Sequence, residues 1–122
     1  MILVMLIENT SINVETNLKE GAYTLVGGCV QGNSSKQSKL KNCDINVKST
    51  AAVASGVKNN TEISLENCNI EVDAIGESSA IYNVSDGTAT LTKCKLAIRG
   101  TDIGKSIVNE GIMYIDGVQY TE

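Results

Sequence analysis

The chain of 122 residues contains no proline, tryptophan, phenylalanine or histidine, and its only aromatic residues are four tyrosines. The lack of histidine removes Ser-His and Cys-His nucleophile pairs and leaves zinc without its usual nitrogen ligand. The scarcity of aromatics leaves a sugar few platforms to stack on. There is no long apolar run either. The opening MILVMLI spans seven residues, with no basic flank and no small-residue cleavage site, so it reads as a buried strand or the cut end of a longer parent protein, neither signal peptide nor membrane span. The ten basic residues are scattered and the net charge is −4, so there is no basic stripe for a nucleic-acid backbone. The GG at 27–28 lacks the lysine and helix start of a phosphate loop.

What is present is a core alphabet of Ile, Val, Leu and Cys, punctuated by eleven glycines and many Asn, Ser and Thr. That mixture favours strands joined by tight turns. It is also repetitive. LKNCDINV (40–47) returns as LENCNIEV (65–72) and as LTKCKLAI (91–98). Aligned with TSINV (10–14) and DGVQY (116–120), the anchors Ile12, Ile45, Ile70, Leu96 and Val118 lie 33, 25, 26 and 22 residues apart.

Each copy alternates. Cys43, Ile45 and Val47 share one parity with Cys68, Ile70, Val72 and with Cys94, Leu96, Ile98. The other parity carries Asp44, Asn46, Lys48, Asn69, Glu71, Asp73, Lys95 and Arg99. Period two with one apolar face is a half-buried strand. A second ladder runs through SGVKN (55–59), SAIYN (79–83) and KSIVN (105–109), with GCVQG (28–32) a weaker relative, each a short strand ending at a turn residue: Asn59, Asn83 and Asn109 in the first three. A third runs through Leu40, Leu65, Leu91 and Met113, just before sharp corners at which Asn42 and Asn67 supply the left-handed conformation.

Three short strands per repeat bury their apolar sides only by stacking, and strict six-residue periodicity is absent. The expected fold is therefore all-β: a right-handed parallel β-helix, a solenoid of about five coils in one domain over 1–122, with 31–38 as a surface loop. Coils such as SAIYNVSDGTATLTKCKL resemble the pectin-lyase-like right-handed β-helix superfamily, in particular the A-I-x-N…G-x-L-x-x-x-N-C-x-I repeats of bacterial surface and polymorphic outer-membrane adhesins and some phage tail spikes. The likeness covers roughly residues 20–120. It implies the fold, and it implies lateral packing into trimers. It does not choose among lyases, hydrolases, adhesins and viral fibres, all of which use this coil.

Stacked coils place Cys43, Cys68 and Cys94 in a line with about 4.8 Å between neighbours. Three collinear positions without histidine do not make a tetrahedral metal site, and parallel Cβ vectors at that spacing are slightly too far apart for an unstrained disulfide. Reduced thiols acting as small core hydrophobes are expected, which fits assembly in a reducing cytoplasm before display on a virion or cell surface. Cys29 is expected in a different ladder, beside Gly56, Ala80 and Ser106.

For catalysis, the outward rows read Asp44–Asn69–Lys95, Asn46–Glu71–Ala97 and Lys48–Asp73–Arg99, and no row places two carboxylates opposite one another. No catalytic residue, metal or cofactor is expected; Asp73 with Arg99, and Asp44 with Lys95, read as surface charge pairs. The contact candidates are Tyr82, Lys58 and Val108 beside the small row Gly56, Ala80 and Ser106, a proposed self-association flank, together with Glu71 and Asp73. The alternatives are a carbohydrate-active fragment binding or cleaving polysaccharide, and a subunit polymerising end to end. The apolar start and a last coil reaching almost to Glu122 suggest a module of a longer protein, or a subunit whose ends are covered by neighbours. The expected partners are thus further copies of the chain or domains of a parent protein, with no nucleic acid and no membrane insertion.

Overall fold

The computed structural model describes residues 3–16, 22–23, 36–49 and 54–121. The first passage of the chain forms β1 (Leu3–Glu8), β2 (Ser11–Thr16) and β3 (Ala22–Tyr23). The second forms β4 (Lys36–Lys41), β5 (Asp44–Ser49) and β6 (Ala54–Asn59), and the third β7 (Glu62–Glu66), β8 (Asn69–Ala74) and β9 (Ser79–Asn83). The fourth forms β10 (Thr88–Thr92), β11 (Lys95–Arg99) and β12 (Lys105–Asn109), followed by β13 (Ile112–Ile115) and β14 (Val118–Gln119). No helix occurs among the described residues.

From β1 to β13 the strands distribute into three sheets in rotation, and β14 returns to the sheet of β13. Sheet A has the order β1-β4-β7-β10-β13-β14, sheet B is β2-β5-β8-β11 and sheet C is β3-β6-β9-β12. Every pairing is parallel except β13 with β14. In sheet B the register stacks Ile12, Ile45, Ile70 and Leu96, then Val14, Val47, Val72 and Ile98. In sheet A it stacks Ile7, Leu40, Leu65, Leu91 and Ile115. The anchor after Leu91 is therefore Ile115; Met113 stacks on Ala89, two residues earlier. Leu40, Ile45, Ile63, Leu65, Ile70, Val57 and Ile81 meet in the centre, essentially without solvent contact. Leu40, Leu65, Ile45 and Ile70 sit between other aliphatic residues in register, whereas Ile63 lies between Ser38 and Ala89, so a large side chain there fills the space that its small neighbours leave.

The corner from sheet A to sheet B takes two residues in every coil, and its first residue is always left-handed: Asn9, Asn42, Asn67 and Lys93 have φ of 53, 55, 51 and 54°. Asn tolerates this conformation better than other non-glycine residues, and here it gains a second role. The amides stack, Asn67 Nδ2 donating to Asn42 Oδ1 (2.7 Å) and Asn42 Nδ2 to Asn9 Oδ1 (3.1 Å). Lys93 breaks the stack. Lys93→Asn is expected to raise stability by about 1 kcal/mol, or roughly 3–5 °C in Tm, measured by thermal denaturation.

One repeat assignment changes and two others fall wholly or partly outside the described residues. DGVQY does not enter sheet B: Asp116 and Gly117 (φ 49 and 83°) reverse the chain, and Val118–Gln119 pairs back on β13, antiparallel. Two successive positive φ values make the tight hairpin that Asp-Gly favours, so Val118 is no fifth anchor. GCVQG and Cys29 lie outside the described residues, and the first strand of sheet C is Ala22–Tyr23. Of the stretch 31–38, residues 31–35 also lie outside them, while Lys36, Gln37 and Ser38 already belong to β4.

Candidate functional site

The outward face of sheet B carries polar side chains in aligned rows. The register lays out Ser11–Asp44–Asn69–Lys95, then Asn13–Asn46–Glu71–Ala97, then Glu15–Lys48–Asp73–Arg99, the rows expected from alternation and repeat spacing. Neighbours within a row bond to one another: Asn46 Nδ2 donates to Asn13 Oδ1 (3.1 Å) and Asn69 Nδ2 to Asp44 Oδ1 (2.9 Å). Asp44 thus bonds with Asn69 directly above it, rather than pairing with Lys95. Arg99 reaches diagonally to Glu71 (Nε–Oε1 3.2 Å), not to Asp73, which lies opposite it in register. Two shallow hollows of about 450 and 480 Å³ share Asn46 and Glu71, so they form one trough along the face.

Reading the rows across strands missed one juxtaposition along a strand. Glu71 and Asp73 stand two residues apart on the same face of β8, about 6.6 Å along it, and both line the trough. Glu71 is already bonded to Arg99, and the trough lining contains no aromatic side chain.

The contact candidates on sheet C divide. Lys58, Tyr82 and Val108 align in register as a half-buried outward row, with Lys58 Nζ 5.5 Å from the Tyr82 ring centroid and the Tyr82 hydroxyl donating to Glu110 Oε1 (2.9 Å). The small row is not an outer flank: Gly56 and Ala80 are buried, and only Ser106, on the last strand of the sheet, is exposed. Strand pairing passes from Ser55–Ser79 to Val57–Ile81 and skips Gly56 and Ala80, and at this bend Ile70 and Val72 of β8 press against Gly56. The small side chains are there because the interior leaves no room.

The sequence reading also missed Asn59, Asn83 and Asn109, taken only as turn residues. They form an internal stack, Asn59 Nδ2 donating to Asn83 Oδ1 and Asn83 Nδ2 to Asn109 Oδ1, both at 2.9 Å. Asn59 and Asn83 are fully buried. The signal was available: asparagine ends all three strands of that ladder.

Cys43, Cys68 and Cys94 occupy the second corner residue, immediately before the sheet B strand. All three are free thiols, the first two buried and Cys94 partly so. Each Sγ lies 3.3–3.5 Å from two carbonyls, one two residues back in its own corner and one in the preceding coil; for Cys68 these are Glu66 O and Leu40 O. Thr10, at the same position in the first coil, donates its hydroxyl to Glu8 O (2.7 Å). The site asks for a small side chain with one weak donor and little polarity, which a thiol satisfies.

The Cys94 thiol is drawn down to about 7, chiefly through its contact with the neighbouring Cys68 side chain. The same contact, reinforced by burial, pushes Cys68 up. In a Cys29→Ser background, a thiol reagent should label Cys94 in the folded protein at a rate that climbs as pH rises through about 7, and should reach Cys43 and Cys68 only in denaturant. Rapid labelling of all three thiols in the native state would refute the buried arrangement.

Neither a protein-family model, nor a curated protein, nor a solved structure matches the chain. Its function has to be argued from its own residues. Among the described residues no cluster of three or more His, Cys, Asp or Glu is placed to hold a metal ion, and no helix is long and apolar enough to cross a membrane.

Proposed function

We propose that the chain is a right-handed parallel β-helix, a solenoid with a non-enzymatic structural or adhesive role in a phage spike or fibre or a bacterial surface assembly. The observation that carries this reading is that polar side chains are used to tie coil to coil. Stacked amides run along the corner, through the interior and across the sheet B face, so the residues a catalyst would keep free are bonded to one another. Such a column works by geometry: it holds its outer rows at fixed spacing for a partner, with stability built from contacts between adjacent coils. Lateral association into a trimer would use the Lys58–Tyr82–Val108 row, since the small row lies inside.

A second reading rests on the trough of sheet B. An extended polar polymer such as a polysaccharide could lie across the Asn and Asp rows, with Glu71 and Asp73 beneath it. End-to-end polymerisation is disfavoured by the hairpin: a second copy seated in register with its β2 on β11 would need its β1 in the layer that β13 occupies. Native mass measurement with a polysaccharide panel tests these readings together. A discrete trimer without turnover supports the spike module, a ladder of sizes supports the filament, and a monomer that cleaves an acidic polysaccharide overturns both.

A further inference from the structure

The corner thiols stack in pairs. Lys95 lies over Asn69 in register and gives its N–H to Cys68 O (2.9 Å), so Cys94 stands over Cys68. Strand spacing sets their Cα atoms about 4.8 Å apart, inside the window of roughly 4.4–6.8 Å in which disulfides form. The two sulfurs converge on consecutive peptide groups of β7, Cys94 Sγ lying 3.4 Å from Leu65 O and Cys68 Sγ 3.3 Å from Glu66 O. Cys43 and Cys68 repeat the arrangement one coil earlier, with Asn69 N–H given to Cys43 O and the sulfurs against Lys41 O and Leu40 O.

Two differences separate the pairs. Cys43 and Cys68 are both sealed from solvent, whereas Cys94 is only partly buried, so a small oxidant reaches one member of the Cys68–Cys94 pair and neither member of the other. The corners are also tied differently. The Asn67–Asn42 amide bond fixes the spacing between the second and third coils, but Lys93 carries no amide, so no such side-chain bond spaces the third coil from the fourth. That corner is fastened through Asn67 N–H to Thr92 O and Lys93 N–H to Asp116 Oδ1 instead. Cys94 is also the thiol drawn down to about 7, against the opposing effects of burial and of the Asp116 carboxylate that faces it.

We propose that Cys94 and Cys68 form a redox-sensitive strap, a reversible disulfide made by peroxide and opened by small thiols, which ties the third coil to the fourth. In the first step the Cys94 thiolate attacks hydrogen peroxide: an S–O bond forms, the O–O bond breaks, and hydroxide leaves to take up the proton that Cys94 shed. In the second, Cys68 loses its proton and attacks the Cys94 sulfur: the S–S bond forms, the S–O bond breaks, and the departing hydroxide and the Cys68 proton become water. Two thiols are oxidised, and one peroxide is reduced to two waters. The Cys68 thiol is held up chiefly by its contact with Cys94, so oxidising Cys94 releases the partner that must react next. Parallel Cβ vectors at the strand spacing must be drawn together to close the bond, and a bond made under that strain is easily reduced, as a switch requires. The strap depends on the stacked corners alone and not on the assembly proposed above.

The test treats the folded full chain, in a Cys29→Ser background, with a few equivalents of hydrogen peroxide. Intact mass should fall by about 2 Da, a peptide map should join Cys68 to Cys94 within one chain, and dithiothreitol should restore the starting mass. The oxidised protein should unfold at higher urea than the reduced one. Serine variants assign the roles, and Thr10, which seats a hydroxyl at the same corner position, shows that serine fits there. Cys94→Ser should leave the mass unchanged. Cys68→Ser should instead gain about 16 or 32 Da at Cys94, the mark of an oxidised thiol with no partner to resolve it. Cys43→Ser should behave as the parent. Absence of the Cys68–Cys94 peptide, a link through Cys43 or between chains, a bond that dithiothreitol does not open, or an unchanged urea midpoint would overturn the proposal. The peptide map of the parent decides the pairing without recourse to the variants.

Discussion

Replacing Asn83 by alanine is expected to destabilise the protein by about 4 kcal/mol, a large share of the 5–15 kcal/mol typical of a whole domain. The side chain is fully buried and bonded on every side. Its Nδ2 donates to Gly87 O, Ile112 O and Asn109 Oδ1 at 3.1, 3.0 and 2.9 Å, and its Oδ1 accepts from Asn59 Nδ2 at 2.9 Å. Truncation removes these four bonds at once and opens a cavity; Ile112 O and Asn109 Oδ1 lose the Asn83 donor, while the Asn59 amide keeps Thr61 O and Thr88 O and Gly87 O still accepts from the Ile112 N–H. Each buried group so abandoned costs about 1–3 kcal/mol. Urea denaturation measures the loss, and Asn42→Ala supplies the comparison. Asn42 stacks in the same manner but in solvent, so its removal should cost only about 1 kcal/mol, mostly from the left-handed backbone. Equal losses at the two positions would show that the internal stack adds nothing.

Gly56→Leu should cost about 3 kcal/mol or more, and Gly56→Ala roughly 1–2 kcal/mol. A Cβ at Gly56 would overlap the Ile70 Cγ2 atom and lie 2.7 Å from Ala80 O, a backbone atom that cannot turn aside. The measurement also separates two views of this ladder. Were Gly56 on an outer flank, leucine there would leave the denaturation midpoint unchanged and alter association instead. With the interior placement, the midpoint falls sharply and the protein remains in its original oligomeric state until it unfolds.

Why sheet B could be read from sequence and sheet C could not follows from what each strand faces. In β5 exposed and buried residues alternate without exception, and β8 keeps the alternation with half-buried Glu71 in place of one exposed residue. Period two and the repeat spacing together then fixed every row. In β6 five of six residues are buried, at both parities. Alternation carries no inside-or-outside information there, and the small side chains of Gly56 and Ala80 suggested a smooth surface when they report a crowded interior. Asn59 and Asn83 were misplaced for a related reason: asparagine at a strand end signals a turn, and nothing local distinguishes an amide facing solvent from one bonded to its counterpart in the next coil. The hairpin at Asp116–Gly117 was legible. Asp-Gly between apolar residues is a strong reversal signal, and here it outweighs the loose match of DGVQY to the repeat.

The corners differ in how much chain they contain. From sheet A to sheet B the link is two residues in each coil, whereas from sheet B to sheet C it is four residues in the third coil (75–78) and five in the fourth (100–104). The invariant corner acts as a phase reference: whatever length the chain gains or loses elsewhere, each coil is reset at the left-handed residue before it enters sheet B. Segments grafted between Arg99 and Lys105 should therefore be carried as passengers, leaving the pairing of the flanking coils unchanged, while a single residue added beside Asn42 would move every side chain of β5 to the opposite face. Variation in this architecture gathers at the other two corners, since the link from sheet C to sheet A also changes length, two residues at 60–61 and 110–111 against four at 84–87.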